Sequence, residues 1–295
     1  MDRFNTADLQ HWQELSRSLD QLNDELHFGT EPQRRRLRPR LVDALKGVGA
    51  IPLVMDRWVR VVTYQYSLEP LTAAGSLQAE GQRFNAGFEL DTSSLAPWPA
   101  LYLAQNYETA FREKFQLSCD ESTEGLSPQE LALEQDVSHT TVFVKGRIER
   151  VFDMTTFLGL NSLAKVLREI KMPHEALALR KKLKIATKDL FMIQTGMQLF
   201  DAVVKQNWRV LPVQFGLPAP SQTIADLIRE AGYEAILYQS TKGPGRCLAV
   251  FPDRLSDNSY VELIDKPPSA STHTRLDIGS ASELEGWESI PRKFR

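Results

Sequence analysis

Four polar side chains lie in segments where apolar packing alone would not place them. Arg83 stands in a glycine-bordered loop, GQRFN, and Tyr102 lies on the short apolar segment ALYLA. Glu113 follows on the next helical segment, and Ser240 ends the apolar segment GYEAILYQS. A guanidinium binds anionic groups bidentately, a carboxylate stabilises a developing positive charge, and hydroxyl groups both donate and accept hydrogen bonds. These residue types predict a ligand site that combines an anion contact with a carboxylate.

Each of these residues also has a purely structural interpretation. Glu113 can pair with a neighbouring cation at the surface, since charged helix residues are usually exposed. Tyr102 fits a buried core, Ser240 fits a turn residue before KGPG, and Arg83 can cap a loop carbonyl. The residues alone leave both interpretations open.

The elements that must position these side chains are strands and helices in mixed order. β-Branched and aromatic residues predict strands at 58–66 and 100–104. Alternation of apolar and polar residues predicts two more strands, at 140–144 and 147–152 around Lys145-Gly146. From Tyr102 to Glu113 the chain has room for a strand, a turn and about two helical turns. The mixture lacks a regular βαβα alternation. It predicts an α+β fold, with a mixed β core flanked by helices.

The chain divides by its pattern into three parts. Residues 1–50 are predicted to form an N-terminal helical extension, and residues 51–264 the catalytic domain. That domain contains a helical insertion at about 160–205, which is rich in Leu, Lys and Ala. Residues 265–295 hold Pro-Pro, Ser and Gly with little apolar periodicity, so we expect an extended tail.

Composition excludes several classes of function. The 295 residues carry a formal net charge of -3, which disfavours a protein that works mainly through nucleic-acid phosphate contacts. The basic cluster RRRLRPR at 34–40 is therefore interpreted as a solvated face or as a charge partner for the acidic stretch at 119–139. Two cysteines, no apolar leader and no run of about 18 apolar residues predict a cytoplasmic protein without a membrane span.

Common catalytic motifs are missing from the sequence. It contains no phosphate-binding P-loop, no dinucleotide-binding glycine fingerprint and no Gly-x-Ser-x-Gly elbow. Its five histidines are scattered singly, so no metal is expected.

Five segments in order resemble the motifs of the RES domain family. They are VRVV at 59–62, GQRFN at 81–85, YLAQNYETAFRE at 102–113, FDMTT at 152–156 and GYEAILYQS at 232–240. Each motif alone is weak, but their order, residue types and spacing agree with the family together. The resemblance implies a fold similar to ADP-ribosyltransferases, with an NAD-binding cleft in the β core, and an activity that consumes NAD+.

The resemblance also implies roles for single residues. Glu113 would stabilise the oxocarbenium-like transition state formed when the bond from ribose to nicotinamide breaks. Arg83 would hold the pyrophosphate, Tyr102 would stack on nicotinamide, and Ser240 would bind the ribose or carboxamide. Those four are the expected catalytic group. Arg60, a lone charge in an apolar strand pattern, and Asn85 of GQRFN complete the expected NAD+ contacts.

Three functions follow from these expectations. The leading hypothesis is an NAD+ glycohydrolase or phosphorylase acting as a RES-type toxin, with NAD+ as substrate and an antitoxin or immunity protein as partner. The alternatives are a mono-ADP-ribosyltransferase that modifies a protein and a non-catalytic interaction module on a RES scaffold. The sequence does not indicate the oligomeric state.

Overall fold

The structure is a computed structural model that describes residues 6–90, 93, 95–117, 138–266 and 273–285. The predicted acidic stretch at 119–139 therefore falls almost wholly outside the described residues. The helices of the described part are α1 (Thr6–Phe28), α2 (Glu31–Lys46), α3 (Tyr107–Phe115), α4 (Asn161–Leu167), α5 (His174–Lys182), α6 (Gly196–Phe200), α7 (Val210–Phe215), α8 (Pro220–Glu230) and α9 (Ala281–Glu285). The strands are β1 (Ile51–Thr63), β2 (Gly81–Gln82), β3 (Asn85–Ala86), β4 (Leu101–Ala104), β5 (His139–Met154), β6 (Ala235–Gln239), β7 (Arg246–Val250), β8 (Tyr260–Leu263) and β9 (Arg275–Leu276).

Five strands of the main sheet pair in a closed ring. The order around it is β1-β4-β7-β6-β5, and β1 pairs with β5 to close it, while β8 and β9 extend outward from β5. Successive side chains of a strand point to opposite faces, and here both faces are covered. Ile236 and Ala249 belong to one apolar cluster, whereas Leu237 and Leu248 belong to the other. The predicted mixed β core flanked by helices is confirmed.

The inserted helices form a crossover between two parallel strands. β5 and β6 run parallel, with Val151 opposite Ala235, and parallel neighbours need a long connection over one face of the sheet. Helices α4 to α8 make up that connection. The last of them, α8, buries Ile224, Leu227 and Ile228 at three- and four-residue spacing against the core. The parallel pairing of β5 and β6 thus gives this helical connection a topological reason.

The basic cluster of α2 is paired within the fold. Arg38 contacts Asp226 at 2.7 Å and also Glu230 on α8, and Arg40 contacts Glu169 at 2.6 Å. The partners thus lie on α8 and just beyond α4. The cluster serves the packing of α2 against the crossover helices.

The predicted division of residues 140–152 into two strands is wrong. The sequence predicts two strands around Lys145-Gly146, but β5 runs through that point without a break. Gly146 lies opposite Met55 of β1 on one side and Val261 of β8 on the other. A Cβ at Gly146 would stand 2.2 Å from the carbonyl oxygen of Tyr260, so glycine permits the close approach of β8 rather than a turn.

The described part of the C-terminal tail differs from the extended segment that we expect. Within 273–285 the chain forms β9 and α9, and the side chains of Leu276 and Leu284 are fully buried. The carbonyl of Leu284 accepts hydrogen bonds from the backbone N–H of Ala73 and the hydroxyl of Thr72. A few apolar side chains at the right places hold this segment, although they are too sparse to give a periodic pattern.

Among the described residues, no helix is both long and apolar enough to cross a membrane.

Candidate active site

A cleft of about 300 Å³ opens beside the end of the ring where β1, β4 and β7 meet α3. This volume lies at the lower end of the range for small-molecule sites, roughly 300–1,000 Å³. Its walls include Arg83 from the β2–β3 hairpin, Tyr102 from β4 and Glu113 from α3. Three of the four residues expected to be catalytic therefore line one cavity. The fourth, Ser240, lies directly behind it.

Helix α3 places Glu113 in the cleft through a fixed helix start. The side chain of Asn106 caps the helix, because its Oδ1 accepts the backbone N–H of Thr109 at 2.9 Å. Glu113 follows one turn after Thr109, on the same face. Ser240 Oγ donates to Glu113 Oε1 at 2.6 Å, which fixes one carboxylate oxygen. The structure does not show the alternative pairing of Glu113 with the neighbouring Arg112, because Arg112 forms an ion pair with Glu108.

The hydroxyl group of Ser240 both accepts and donates hydrogen bonds. Its hydroxyl oxygen accepts the backbone N–H groups of Lys242 and Gly243, at 3.0 and 2.9 Å, as a turn residue would. The same hydroxyl donates its proton to Glu113. The turn itself packs on α3, because the N–H of Gly245 donates to Thr109 Oγ1 at 2.9 Å. Ser240 is thus buried behind Glu113 and orients its carboxylate.

The β2–β3 hairpin holds Arg83 at the cleft wall. Gly81 takes a φ of +86°, and a Cβ there would lie 2.4 Å from the carbonyl oxygen of Asn85. The fully buried amide of Gln222 on α8 donates from Nε2 to the carbonyls of Glu80, Gln82 and Asn85, at 2.9 to 3.1 Å. A glycine turn and one buried amide therefore define the conformation of the loop.

Arg83 uses part of its guanidinium for structure. Its Nη1 donates to the carbonyls of Val203, Val204 and Gln206, at 3.2, 2.7 and 3.3 Å. The capping role that the sequence left open is therefore real. Nε and Nη2 make no hydrogen bond to the described residues, so they remain for a ligand in the cleft that Arg83 lines.

Tyr102 is locked by its hydroxyl. That oxygen accepts the N–H of Phe84 at 3.0 Å and donates to Asn85 Oδ1 at 2.9 Å. Burial raises the pKa of the Tyr102 phenol, so the proton stays in this hydrogen bond. Asn85 is fully buried, and its amide donates to the carbonyls of Ser76 and Trp98. Asn85, which we expected among the NAD+ contacts, lies behind Tyr102 instead of on the cleft wall.

Arg60 is an incompletely paired cation in the cleft. Its Nη2 donates to the carbonyl of Thr72 at 2.7 Å, but its buried Nη1 has no partner among the described residues. Burial lowers the pKa of the Arg60 guanidinium to about 10. The nearby Lys114 donates to Thr63 Oγ1 at 2.8 Å, and burial followed by the charge of Arg60 lowers the pKa of its amine. Two cations held together in this way favour an anionic ligand.

The charge of the lining is strongly positive in a chain whose net charge is negative. Among the described residues, Arg60, Arg83, Lys114 and Arg209 line the cleft, and Glu113 is the one carboxylate of that lining. Cys247 and Tyr238 also line it, and burial raises the pKa of both groups, so they stay neutral. Four cations and one carboxylate suit a ligand with several negative charges and one positive centre.

Four residues in or behind the cleft have no recognisable signal in the sequence. Lys114 stands beside Glu113 on the helix, where the sequence predicts an exposed charged residue. Trp208 and Arg209 lie between α6 and α7 in the crossover, outside every motif described above. Gln222 looks like an ordinary polar residue at a helix start. Only the long-range contacts of the fold reveal what these residues do.

Among the described residues, no group of three or more His, Cys, Asp or Glu side chains is arranged to hold a metal ion.

The fold and the cleft together define an α+β domain with a preformed, cationic ligand site. Residues 57–272 match the RES domain family, and the chain belongs to that family. No curated protein sequence matches the chain. Among solved structures, a chain of the M. tuberculosis MbcT-MbcA toxin-antitoxin complex is similar over 83% of this chain and 96% of that chain, with 14% identity and a TM-score of 0.40.

Proposed function

We propose that the protein is an enzyme that cleaves the nicotinamide-ribose bond of NAD+ and acts as a RES-type toxin. The observation that supports this most directly is the contact of Glu113 with Ser240 at the wall of a cationic cleft. One carboxylate oxygen of Glu113 is held by the serine. The other is the negative charge available to a cationic reaction centre.

The chemistry needs such a carboxylate. The bond between ribose C1′ and the nicotinamide nitrogen breaks with its electron pair leaving on nitrogen, so nicotinamide departs as a neutral molecule. Positive charge remains on the ribose, and Glu113 stabilises that charge as it develops. Removal of one preorganised group of this kind costs a rate factor of about 10² or more.

The other lining residues suit the rest of the substrate. Arg83 keeps Nε and Nη2 for the pyrophosphate. Arg60 Nη1, which has no partner among the described residues, offers a second anion contact. The ring of Tyr102 lines the cleft while its hydroxyl is held from behind, so its ring can stack on nicotinamide without losing its orientation. Ser240 and Asn85 act through Glu113 and Tyr102 respectively.

The acceptor of the ADP-ribosyl group distinguishes the possible reactions. Water gives ADP-ribose and a proton, inorganic phosphate gives the 1-phosphate ester of ADP-ribose, and a protein side chain gives a modified protein. Glycohydrolase, phosphorylase and ADP-ribosyltransferase therefore share the same first bond cleavage. The ion pairs of the basic cluster with α8 and Glu169 give no support to an interaction module built on that cluster.

Product analysis tests the proposal. The full chain is incubated with NAD+ alone, with added phosphate and with cell extract, and the products are separated and weighed by mass spectrometry. We expect nicotinamide under the condition that supplies the acceptor, and ADP-ribose or its phosphate ester identifies that acceptor. Absence of nicotinamide under all three conditions would overturn the proposal. ADP-ribose attached to a protein of the extract, without free ADP-ribose, would show that the reaction is transfer to a protein and not hydrolysis.

The toxin role has its own test. Expression of the wild-type chain should lower cellular NAD+ and arrest growth, and co-expression of its antitoxin or immunity protein should restore both. Arrest with unchanged NAD+ would contradict an NAD-consuming toxin.

A further inference from the structure

The segment from Asp201 to Arg209 connects two walls of the cleft. At its beginning, the carbonyls of Val203 and Val204 accept hydrogen bonds from Arg83 Nη1. At its end, Arg209 Nη1 donates to Gln116 Oε1 at 2.6 Å, and Gln116 terminates the helix that bears Glu113. The segment is therefore tied to the Arg83 hairpin on one side and to α3 on the other.

Arg209 reaches the cleft as a cation without a carboxylate partner. No ion pair between Arg209 and another described residue is formed, and its hydrogen bond goes to the neutral amide of Gln116. Its guanidinium lies over the ring of Trp208, with the central carbon 4.6 Å from the ring centre, and both residues line the cleft. Stacking on tryptophan holds the planar group in one orientation.

The surroundings of Arg209 favour an anion. Burial, followed by the charge of Arg83, lowers the pKa of the Arg209 guanidinium, while Glu113 and Glu80 act in the opposite direction. Arg83 Nη1 also bonds the carbonyl of Gln206, three positions before Arg209, and both guanidinium groups line the cleft. An anion between them would relieve their repulsion and form charge-assisted hydrogen bonds, which are stronger than a bond to a neutral amide.

We propose that Arg209 is a second pyrophosphate-binding residue, which acts with Arg83 and exchanges its bond to Gln116 for a phosphate oxygen when ligand enters. This inference rests on the proposed function, since it assigns a role toward the same dinucleotide. It adds a contact from the crossover segment, whereas the motifs of the family resemblance contain neither Arg209 nor Trp208. Trp208 keeps the guanidinium in the plane that a bidentate contact needs.

Equilibrium binding of ADP measures this contact without any turnover. ADP carries the pyrophosphate but no nicotinamide, so its binding is independent of bond cleavage. Calorimetric titrations compare the wild type with Arg209→Gln and Arg209→Lys, with adenosine as the ligand that lacks phosphate. Lys205→Gln is the matched control, because Lys205 lies in the same segment, is exposed and pairs with Asp201 at 2.8 Å.

We expect Arg209→Gln to weaken ADP binding by about 10- to 100-fold, the range for a lost hydrogen bond to a charged group. Arg209→Lys keeps the charge but loses the planar fork, so its loss is smaller. Lys205→Gln should change the Kd less than twofold, and adenosine binding should be the same in all variants.

The outcomes separate this inference from the proposed function. An ADP affinity in Arg209→Gln equal to that of the wild type, or no ADP binding by the folded wild type, overturns the role of Arg209. Nicotinamide release is measured separately. Nicotinamide release by the wild type, with an unaffected ADP affinity in Arg209→Gln, would leave the proposed function and refute this inference. A weakened ADP affinity in Arg209→Gln, with no nicotinamide release by the wild type, would support the role of Arg209 in ADP binding and refute the proposed function.

Discussion

The amide of Gln222 is the contact that we expect to hold the Arg83 hairpin in place. The side chain is fully buried, its Nε2 serves three hairpin carbonyls, and its Oε1 accepts the N–H of Ala219 at 2.9 Å. Replacement by methionine keeps the length of the side chain and removes both the donor and the acceptor. The hairpin then loses its tie to α8, and Arg83 loses its fixed position.

The size of the effect follows from these contacts. The two hydrogens of Nε2 make at most two full hydrogen bonds, and Oε1 makes a third. With a net contribution of about 1 kcal/mol for each, Gln222→Met should lower the free energy of unfolding by about 3 kcal/mol. For a chain of 295 residues, whose entropy of unfolding is about 0.6 kcal/mol/K, such a change lowers the Tm by roughly 5 °C.

Urea and thermal unfolding, followed by circular dichroism, measure this loss. Gln33→Met is the matched control, since the Gln33 amide makes two hydrogen bonds to the backbone of Lys171, both 2.9 Å, in a partly exposed place. We expect the control to cost less than about 1 kcal/mol because water replaces those bonds. Equal losses in the two variants, or a Gln222→Met protein as stable as the wild type, would refute the reasoning.

Two further predictions concern the backbone and pH. Gly81→Ala should destabilise the protein by more than about 2 kcal/mol, since φ is +86° and a Cβ would meet the facing strand at 2.4 Å. Gly216→Ala, at φ +64° with open space around it, should cost only about 1 kcal/mol, and urea unfolding compares them. Burial raises the pKa of Glu234, but hydrogen bonds from Ser256, Ser259 and backbone N–H groups outweigh it and leave the pKa below its ordinary value. The stabilisation by the ionised Glu234 is therefore present at neutral pH and lost as pH falls below about 4.5 through the folded-state pKa. The difference in free energy of unfolding between the wild type and Glu234→Gln should narrow from pH 7 to pH 3. A constant difference would contradict this.

Local patterns were sufficient to predict much of the framework. Apolar alternation and helix periodicity indicated β4, α3 and β6, and those elements bear Tyr102, Glu113 and, at the end of β6, Ser240. The order of the motifs indicated that these residues meet. Such features depend on neighbours in the chain, which a single sequence displays.

Long-range contacts explain what the sequence could not show. Gly146 separates the two predicted strands, and only the approach of β8 reveals why it lies inside one continuous strand. Asn85 was expected to touch NAD+ because it belongs to GQRFN, yet its position behind Tyr102 depends on contacts with Ser76 and Trp98. Arg209 meets Gln116 across 93 positions of the chain, and no local pattern encodes that distance.

The role of Glu113 is the central claim, and one rate comparison tests it most directly. Nicotinamide release from NAD+ is measured for the wild type, Glu113→Gln and the control Glu108→Gln, which removes a carboxylate of the same helix that pairs with Arg112 instead of lining the cleft. We predict a loss of about 10²-fold or more in Glu113→Gln and nearly unchanged release in Glu108→Gln. Release by a folded Glu113→Gln protein at the wild-type rate would contradict the account.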